Sequence, residues 1–204
     1  MRKINKIIGL MKIYYLKFFK GYDITFDTSI YIHPSVEIKL EKNARLYLGK
    51  RCNILNHTKI ILKESSNIKI EEDCSILERS HIETDKNGKI VINEKNFFNT
   101  ETKIYASKSI SFGYNNAFGP ACLIIDNDHV LDRKKDEKYN DWSKHSDKEI
   151  KIGNNNWIGA NSIILKGTTI GNDSIIGAST LIKSNIDSEC IAYNKRELII
   201  RKRE

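Results

Sequence analysis

The residues best suited to chemistry are a short acidic run that ends in a histidine. Asp126, Asn127, Asp128 and His129 follow one another directly. A free imidazole has a pKa of about 6.5, so neutral His129 is suited to take a proton from an attacking hydroxyl at neutral pH. Asp126 or Asp128 would hold its second ring nitrogen and stabilise the imidazolium. The pattern predicts a general base, and the alternative is a solvated histidine among turn-forming residues.

The run opens a polar segment, residues 126–148, that lacks the regular pattern of its flanks. His145 lies in the same segment and is the alternative base or a second contact to an acceptor. Asn127 and Trp142 are further candidate contacts to an acceptor. Long excursions from a regular scaffold commonly carry function, so this protruding loop is the predicted active region.

The scaffold shows itself as a strict six-residue period near the carboxyl end. Isoleucine recurs at this interval at Ile152, Ile158, Ile164, Ile170, Ile176 and Ile182. Glycine follows four of them, and small hydroxyl residues stand four places after four of them: Gly153, Gly159, Gly171 and Gly177, with Ser162, Thr168, Ser174 and Thr180. Neither helical nor alternating strand periodicity gives this spacing, which is typical of a parallel β-helix. We predict inward isoleucines, hydroxyl residues filling the inner corners, and glycines that permit unusual backbone angles there.

The same unit recurs less regularly earlier in the chain. Equivalent positions Leu48, Ile70, Ile92, Phe112 and Ile152 are separated by 22, 22, 20 and 40 residues. This spacing predicts coils of three hexapeptides, about seven in all, with one large interruption before the last of these positions. Cys52 and Cys74 are equivalent in successive coils, so we interpret them as stacked, small, inward-facing residues.

The amino terminus has the pattern of an amphipathic helix. Apolar residues recur at three- and four-residue intervals between lysines: Ile4, Ile7, Ile8, Met11, Tyr14, Tyr15 and Phe18. One interpretation is a helix that caps the main domain, and the alternative is residues 1–20 resting on a membrane surface. The predicted division is a helical cap and lead-in at 1–29, the β-helix at 30–186, and a basic segment at 187–204.

Composition limits the classes of function. The net charge of +8 favours an anionic partner, such as a phosphorylated cofactor, an acidic membrane or nucleic acid. Lysine interrupts every apolar run, so no membrane span is predicted. The four cysteines form no C-x-x-C pair, which indicates neither a zinc ribbon nor a disulfide framework and favours a cytoplasmic setting. The inner face of the membrane is the alternative location.

Three motifs carry a resemblance to a known family: residues 126–129, 151–160 and 176–180. They resemble the hexapeptide-repeat acyltransferases, and most closely the sugar O-acetyltransferases of bacterial capsule and lipopolysaccharide synthesis. The resemblance implies an all-β, left-handed parallel β-helix that moves the acetyl group of acetyl-CoA to a hydroxyl of a sugar or surface-polysaccharide precursor. His129 would act as the base, with no metal and no covalent intermediate. The resemblance also implies a homotrimer with a glycan acceptor and no nucleic-acid partner.

The resemblance assigns a cofactor cleft as well. Its predicted residues are Trp157, Gly159, Ala160, Lys166, Ala178, Lys183 and Arg201. Trp157 would cover the thioester arm or the acceptor ring, or it would simply pack against the returning loop. The alternative for the lysines and the arginine is an ordinary solvated basic face.

Two other functions remain open at this level. One is an N-acetyltransferase for a nucleotide-linked amino sugar, although the chain has no G-x-G-x-x-G motif after a strand. The other is a non-enzymatic solenoid scaffold, which leaves the run at 126–129 unexplained. For subunit contacts the predicted candidates are Phe97, Phe118 and Ile125.

Overall fold

The computed structural model describes residues 2–130 and 144–195 and shows a three-sided prism of stacked coils. The helix α1, Arg2–Phe19, lies at its amino-terminal end. Each coil contributes one short strand to each side, and the strands of a side pair in parallel with those of the next coil. The predicted all-β parallel β-helix with an amino-terminal helix and a protruding loop is confirmed.

The three sides differ in the number and length of their strands. The first side consists of Asp23–Phe26, Arg45–Leu48, Asn67–Ile70, Lys89–Ile92, Ser109–Phe112, Ile150–Ile152 and Thr169–Ile170. The second consists of Tyr31–Ile32, Asn53–Ile54, Ser75–Ile76, Phe97–Phe98, Ala117–Phe118, Trp157–Ile158, Ile175–Ile176 and Ile191–Ala192. The third consists of Glu37–Leu40, Lys59–Leu62, His81–Thr84, Lys103–Ala106, Leu123–Ile125, Ile163–Leu165 and Leu181–Ile182. A separate antiparallel hairpin, Asn127–His129 with His145–Asp147, projects beyond the fifth strand of the third side.

The core is a set of columns in which equivalent side chains stack from coil to coil. All six isoleucines of the six-residue period are buried, none more than 3% exposed. Ile158 pairs with Ile176 on the second side, and Ile164 pairs with Ile182 on the third. The predicted hydroxyl residues are buried too, and Cys52 is a buried free thiol. The inward positions are therefore as predicted.

The corner glycines have a different role from the predicted one. Left-handed backbone occurs at the corners, but residues other than glycine mostly adopt it, such as Asn155 (φ 58°) and Asp173 (φ 56°). Asparagine and aspartate tolerate this conformation better than other residues with a Cβ. A Cβ on Gly159 would instead lie 2.5 Å from the main-chain nitrogen of Ala178. Glycine is needed there because the next coil approaches too closely.

The amino-terminal helix packs on the first coil. The face that it buries is not the apolar stripe predicted from the sequence. Gly9 and Ile13 are buried, and a Cβ on Gly9 would collide with the carbonyl oxygen of Ile32. The predicted stripe points to solvent, with Ile4, Ile7, Ile8, Met11, Tyr14, Tyr15 and Phe18 all exposed. The helix is therefore apolar on two faces, and only one of them is covered. No helix in the described part of the chain is long and apolar enough to cross a bilayer.

Three details differ from the sequence-based expectations. The strand Asp23–Phe26 already belongs to the first coil, and Ile191–Ala192 extends the second side past residue 186. Phe118 is wrong as a subunit contact, because its ring is 1% exposed and lies in the core. Side chains alternate along a strand, and the inward position of this coil falls on Phe118 rather than on its neighbour. Phe97 is exposed, and Ile125 is half-buried.

Neighbouring phenylalanines on one strand offer a matched test of this core. The ring of Phe98 stacks on Phe118 with centroids 4.7 Å apart, and it meets Phe112 edge-on at 5.2 Å. We expect Phe98→Ala to lower the free energy of unfolding by about 3–5 kcal/mol, since it empties a packed site. Phe97→Ala, on the outer surface, should cost less than about 1 kcal/mol. Urea unfolding measures both, and equal losses would contradict the assigned facing of this strand.

Candidate functional site

The hairpin brings the two predicted histidines together. His129 pairs directly with His145 across its two strands, and their ring centroids lie 4.7 Å apart at an angle of 40°. Both side chains are exposed at the edge of the third side. The predicted base and its alternative therefore lie side by side on the hairpin. Within residues 2–130 and 144–195, no group of three or more histidine, cysteine and acidic residues could hold a metal ion.

Asp126 is buried below the hairpin and binds the main chain of the preceding coil. Its Oδ1 accepts the N–H of Ser107 at 2.7 Å, while Oδ2 accepts those of Lys108 at 2.9 Å and Ser109 at 2.7 Å. Burial raises the pKa of Asp126 above its ordinary value, and the three main-chain donors act in the opposite direction. Both oxygens are engaged by this turn. The geometry therefore makes Asp126 an anchor that positions the hairpin.

Lys166 braces the hairpin from the next coil. Its Nζ lies 3.0 Å from Oδ2 of Asp128 and donates to the carbonyl oxygen of Ser146 at 3.0 Å. Asn127 is tied to the scaffold in the same region, because its Nδ2 donates to Oγ of Ser107 at 2.8 Å. Lys166 was predicted as a cofactor contact, but the structure places it beneath the histidine pair.

A cleft of about 270 Å³ opens beside the hairpin. Its polar lining comes from both the loop and the third side: Glu83, Asp85, Tyr105, Ser107, Asn127 and His145. Carboxylate, hydroxyl and amide groups of this kind bind the hydroxyls of a polar ligand. In the same region, Oε2 of Glu83 lies 2.9 Å from Nε2 of His81.

Four of these lining residues belong to no motif recognised in the sequence: Glu83, Asp85, Tyr105 and Ser107. The signal that could have found them is the repeat spacing. Glu83 pairs with Tyr105, and Tyr105 pairs with Ile125, the last residue of the strand before the loop. Tyr105 and Glu83 therefore occupy the positions equivalent to Ile125 in the two preceding coils.

A second cleft, of about 440 Å³, lies at the corner between the second and third sides. It brings together four predicted cofactor residues, namely Trp157, Gly159, Ala160 and Ala178. Pro120 and Ile175 add to its walls. The indole of Trp157 is 59% exposed and forms a wall of this cleft. Small residues and apolar walls fit a narrow, extended ligand chain.

The two clefts lie at opposite edges of the third side. Six residues separate Ala160, at the corner cleft, from Lys166, beneath the hairpin. At about 3.3 Å per residue this separation is roughly 20 Å within one chain. Lys183 is exposed beyond the last strand of the third side and does not line the corner cleft. Trp142 and Arg201 lie outside the described residues.

The outer surface between these edges is apolar in the last three coils. It carries Leu123, Ile125, Ile163, Leu165 and Leu181, all partly or fully exposed. The corresponding surface of the first side is mainly polar, with residues such as Lys89 and Ser111. A coherent apolar strip of this kind is typical of a surface that contacts another chain.

These features define a parallel β-helix built from six-residue repeats, with two clefts at opposite edges of one side. Residues 149–184 match the family model described as bacterial transferase hexapeptide (six repeats). The chain is 30% identical over 102 residues to the galactoside O-acetyltransferase of Lactococcus lactis subsp. lactis (strain IL1403), covering 50% of this chain and 44% of the relative. The galactoside O-acetyltransferase of Escherichia coli (strain K12) is 30% identical over 102 residues, covering 48% and 47%. The chain thus spans about half the length of the curated relatives it matches.

Two solved structures share the fold. The polySia specific acetyltransferase NeuO superposes with a TM-score of 0.58 at 15% identity, covering 91% of each chain. A mutant of AntD, an N-acyltransferase from Bacillus cereus in complex with dTDP-4-amino-4,6-dideoxyglucose and coenzyme A, gives 0.50 at 15% identity, covering 95% of this chain and 88% of that one. The predicted left-handed β-helix and the predicted resemblance to hexapeptide-repeat acyltransferases are therefore confirmed.

The anchoring role of Asp126 can be tested against its exposed neighbour. We expect Asp126→Asn to lower the free energy of unfolding by about 1–3 kcal/mol, because an amide NH₂ would face main-chain donors in a buried site. Asp128→Asn removes a partly exposed ion pair with Lys166 and should cost less than about 1 kcal/mol. Urea unfolding at neutral pH compares the two, and equal stabilities would refute the anchor.

Proposed function

We propose that this chain transfers an acetyl group from acetyl-CoA to a hydroxyl of a sugar or surface-polysaccharide precursor. The observation that carries the proposal is the pairing of His129 with His145 at the mouth of a polar cleft. An exposed imidazole beside hydroxyl-binding groups is suited to general-base catalysis. The galactoside O-acetyltransferases among the relatives support a sugar hydroxyl as the acceptor.

The corner cleft fits the acyl donor. Its apolar walls and the small residues Gly159, Ala160 and Ala178 suit a narrow pantetheine chain, with Trp157 covering one side. The donor supplies an activated thioester. The coenzyme A in the AntD complex supports a donor of this class. The predicted contribution of Lys183 and Arg201 is to meet the phosphates at the outer end of the donor.

The reaction needs one base, which takes a proton from the acceptor hydroxyl and later gives it to the leaving thiolate. His129 takes the proton of the acceptor hydroxyl as the oxygen forms its bond to the acetyl carbon. The carbon–sulfur bond breaks, and the imidazolium gives the proton to the leaving thiolate. No enzyme-bound acyl group is formed, and Asp126 keeps the hairpin in place throughout. The donor and acceptor must therefore be bound at the same time.

A second candidate is transfer to the amine of a nucleotide-linked amino sugar. Glu83 and Asp85 favour it, because two carboxylates in the polar cleft attract a protonated amine. The complex of the N-acyltransferase AntD with dTDP-4-amino-4,6-dideoxyglucose supports this class of acceptor. Mass spectrometry of the acetylated product separates an ester from an amide. Base-labile acetyl groups support the hydroxyl, and base-stable ones support the amine.

We also propose that the active unit is a homotrimer in the cytoplasm. The hairpin of one chain and the corner cleft of the same chain are about 20 Å apart. In a closed head-to-tail ring, the hairpin edge of one subunit meets the cleft edge of the next. The apolar strip on the third side, around Ile163 and Leu181, would be the buried contact. The buried free thiols Cys52, Cys74 and Cys122 suit a reducing compartment.

The base can be identified with a pair of histidine variants. We expect His129→Ala to fold and bind acetyl-CoA normally while turnover falls by about two to four orders of magnitude. His145→Ala should mainly weaken acceptor binding and raise KM. Release of coenzyme A thiol with sugar acceptors measures both. The reverse pattern would make His145 the base, and full activity in both variants would refute the mechanism.

The shared site can be tested by mixing two inactive chains. Ala178→Trp fills the corner cleft and should abolish donor binding, while His129→Ala removes the base. A mixed trimer contains interfaces that combine an intact hairpin with an intact cleft, so part of the activity should return.

Sedimentation equilibrium gives the accompanying mass measurement. The wild-type chain should have about three times the mass of 23.5 kDa. Leu181→Glu on the third side should dissociate it, whereas Tyr47→Glu on the first side should not. A fully active monomer, or no recovery on mixing, would refute the shared site.

A further inference from the structure

The uncovered face of α1 is a continuous apolar surface. Eight large side chains on this face are exposed: Ile4, Ile7, Ile8, Met11, Tyr14, Tyr15, Phe18 and Phe19. At 100° per residue they all project within one sector of less than half the helix circumference. Met11 is 65% exposed and Phe18 is 68% exposed, although both belong to a well-formed helix. The fold therefore leaves this surface available to something outside the chain.

The charge of the helix limits what can cover this surface. It contains five basic residues and no acidic one: Arg2, Lys3, Lys6, Lys12 and Lys17. Two copies of such a helix repel each other when their faces meet. An anionic surface, in contrast, is attracted to it. Charge complementarity therefore favours an acidic partner over a second copy of this chain.

A basic groove lies beside the amino-terminal end of the helix. Its volume is about 470 Å³, and its lining residues are Arg2, Lys3, Lys6, Ser29, Tyr31 and Asn53. The guanidinium of Arg2 lies 5.3 Å from the ring centroid of Tyr31, and its Nη2 donates to Oδ1 of Asn53 at 3.4 Å. Nζ of Lys6 donates to the carbonyl oxygen of Ser29 at 3.4 Å. Among the described residues that line the groove, three are cationic and none carries a carboxylate.

We propose that α1 docks the protein on an anionic lipid bilayer. The helix lies in the plane of the interface, with its exposed apolar face in the boundary between headgroups and acyl chains. Lys3, at the border of the apolar face, meets the lipid phosphates. The opposite face, with Gly9 and Ile13, stays on the first coil and holds the prism to the surface. This role is separate from the transfer reaction and does not depend on the chemistry proposed above.

Flotation with vesicles tests the proposal on the full chain. Vesicles of phosphatidylcholine with about 30% phosphatidylglycerol mimic an acidic leaflet, and pure phosphatidylcholine is the comparison. We expect wild-type protein to float with the acidic vesicles and at least about tenfold less with the neutral ones. Raising the salt concentration should weaken the binding, because it screens exposed charges.

Two matched pairs of variants separate the apolar and charge contributions. Ile7→Ser with Met11→Ser removes exposed apolar area, and Ile191→Ser does so at the far end of the prism. Lys3→Glu reverses a charge beside the groove, and Lys89→Glu reverses one on the first side. Each helix variant should lose binding to acidic vesicles by about tenfold, and each control should bind as the wild type does. Circular dichroism and urea unfolding should show the fold unchanged, since all five substituted side chains are exposed.

Three outcomes would overturn the proposal. The first is absence of wild-type binding to acidic vesicles, and the second is equal binding to neutral ones. The third is a drop in sedimentation mass for the Ile7→Ser, Met11→Ser variant, which would make this face a contact between copies. Transfer of acetyl groups to a water-soluble acceptor should be unchanged in all these variants. A failure of the transfer activity alone would therefore leave the docking result standing.

Discussion

The parallel pairing of each coil with the next is the constraint on which the rest of the structure depends. Main-chain hydrogen bonds such as Gly159 N–H to the Ile176 oxygen, at 2.8 Å, fix the register between successive coils. Once the register is fixed, inward residues stack in columns and outward residues form surface stripes. The loop leaves and rejoins without a shift, because Ile110 pairs with Ile150 across it. The hairpin is therefore held by a rigid frame on both sides.

Repetition made most of the fold readable from the sequence. The six-residue isoleucine period specified the inward columns, and all six of its members are buried. The intervals between equivalent positions located the interruption before Ile152, which coincides with the hairpin. Trp157, Ala160 and Ala178, which the resemblance grouped together, line one cleft, and their role as cofactor contacts stays a prediction. Each of these features repeats or matches a known pattern.

What the sequence did not reveal depends on contacts between residues far apart in the chain. The anchoring of Asp126 on Ser107, Lys108 and Ser109 has no local signature, because the partners lie one coil earlier. The buried face of the amino-terminal helix could not be predicted for the same reason. Its larger apolar stripe suggests a core face, yet the small side chain of Gly9 allows the opposite face to approach the first coil more closely. Close approach of main chain outweighed side-chain hydrophobicity in choosing the buried face.

The number of coils sets the distance between the amino-terminal helix and the hairpin. The helix lies on the first coil, and the hairpin leaves the fifth strand of the third side. Four steps of about 4.8 Å therefore separate them, roughly 20 Å in height. A stretch such as residues 45–66 is one complete turn, so evolution can add or remove one without disturbing the pairing. The number of coils between the helix and the hairpin therefore sets the distance of the histidine pair from the amino-terminal end of the prism.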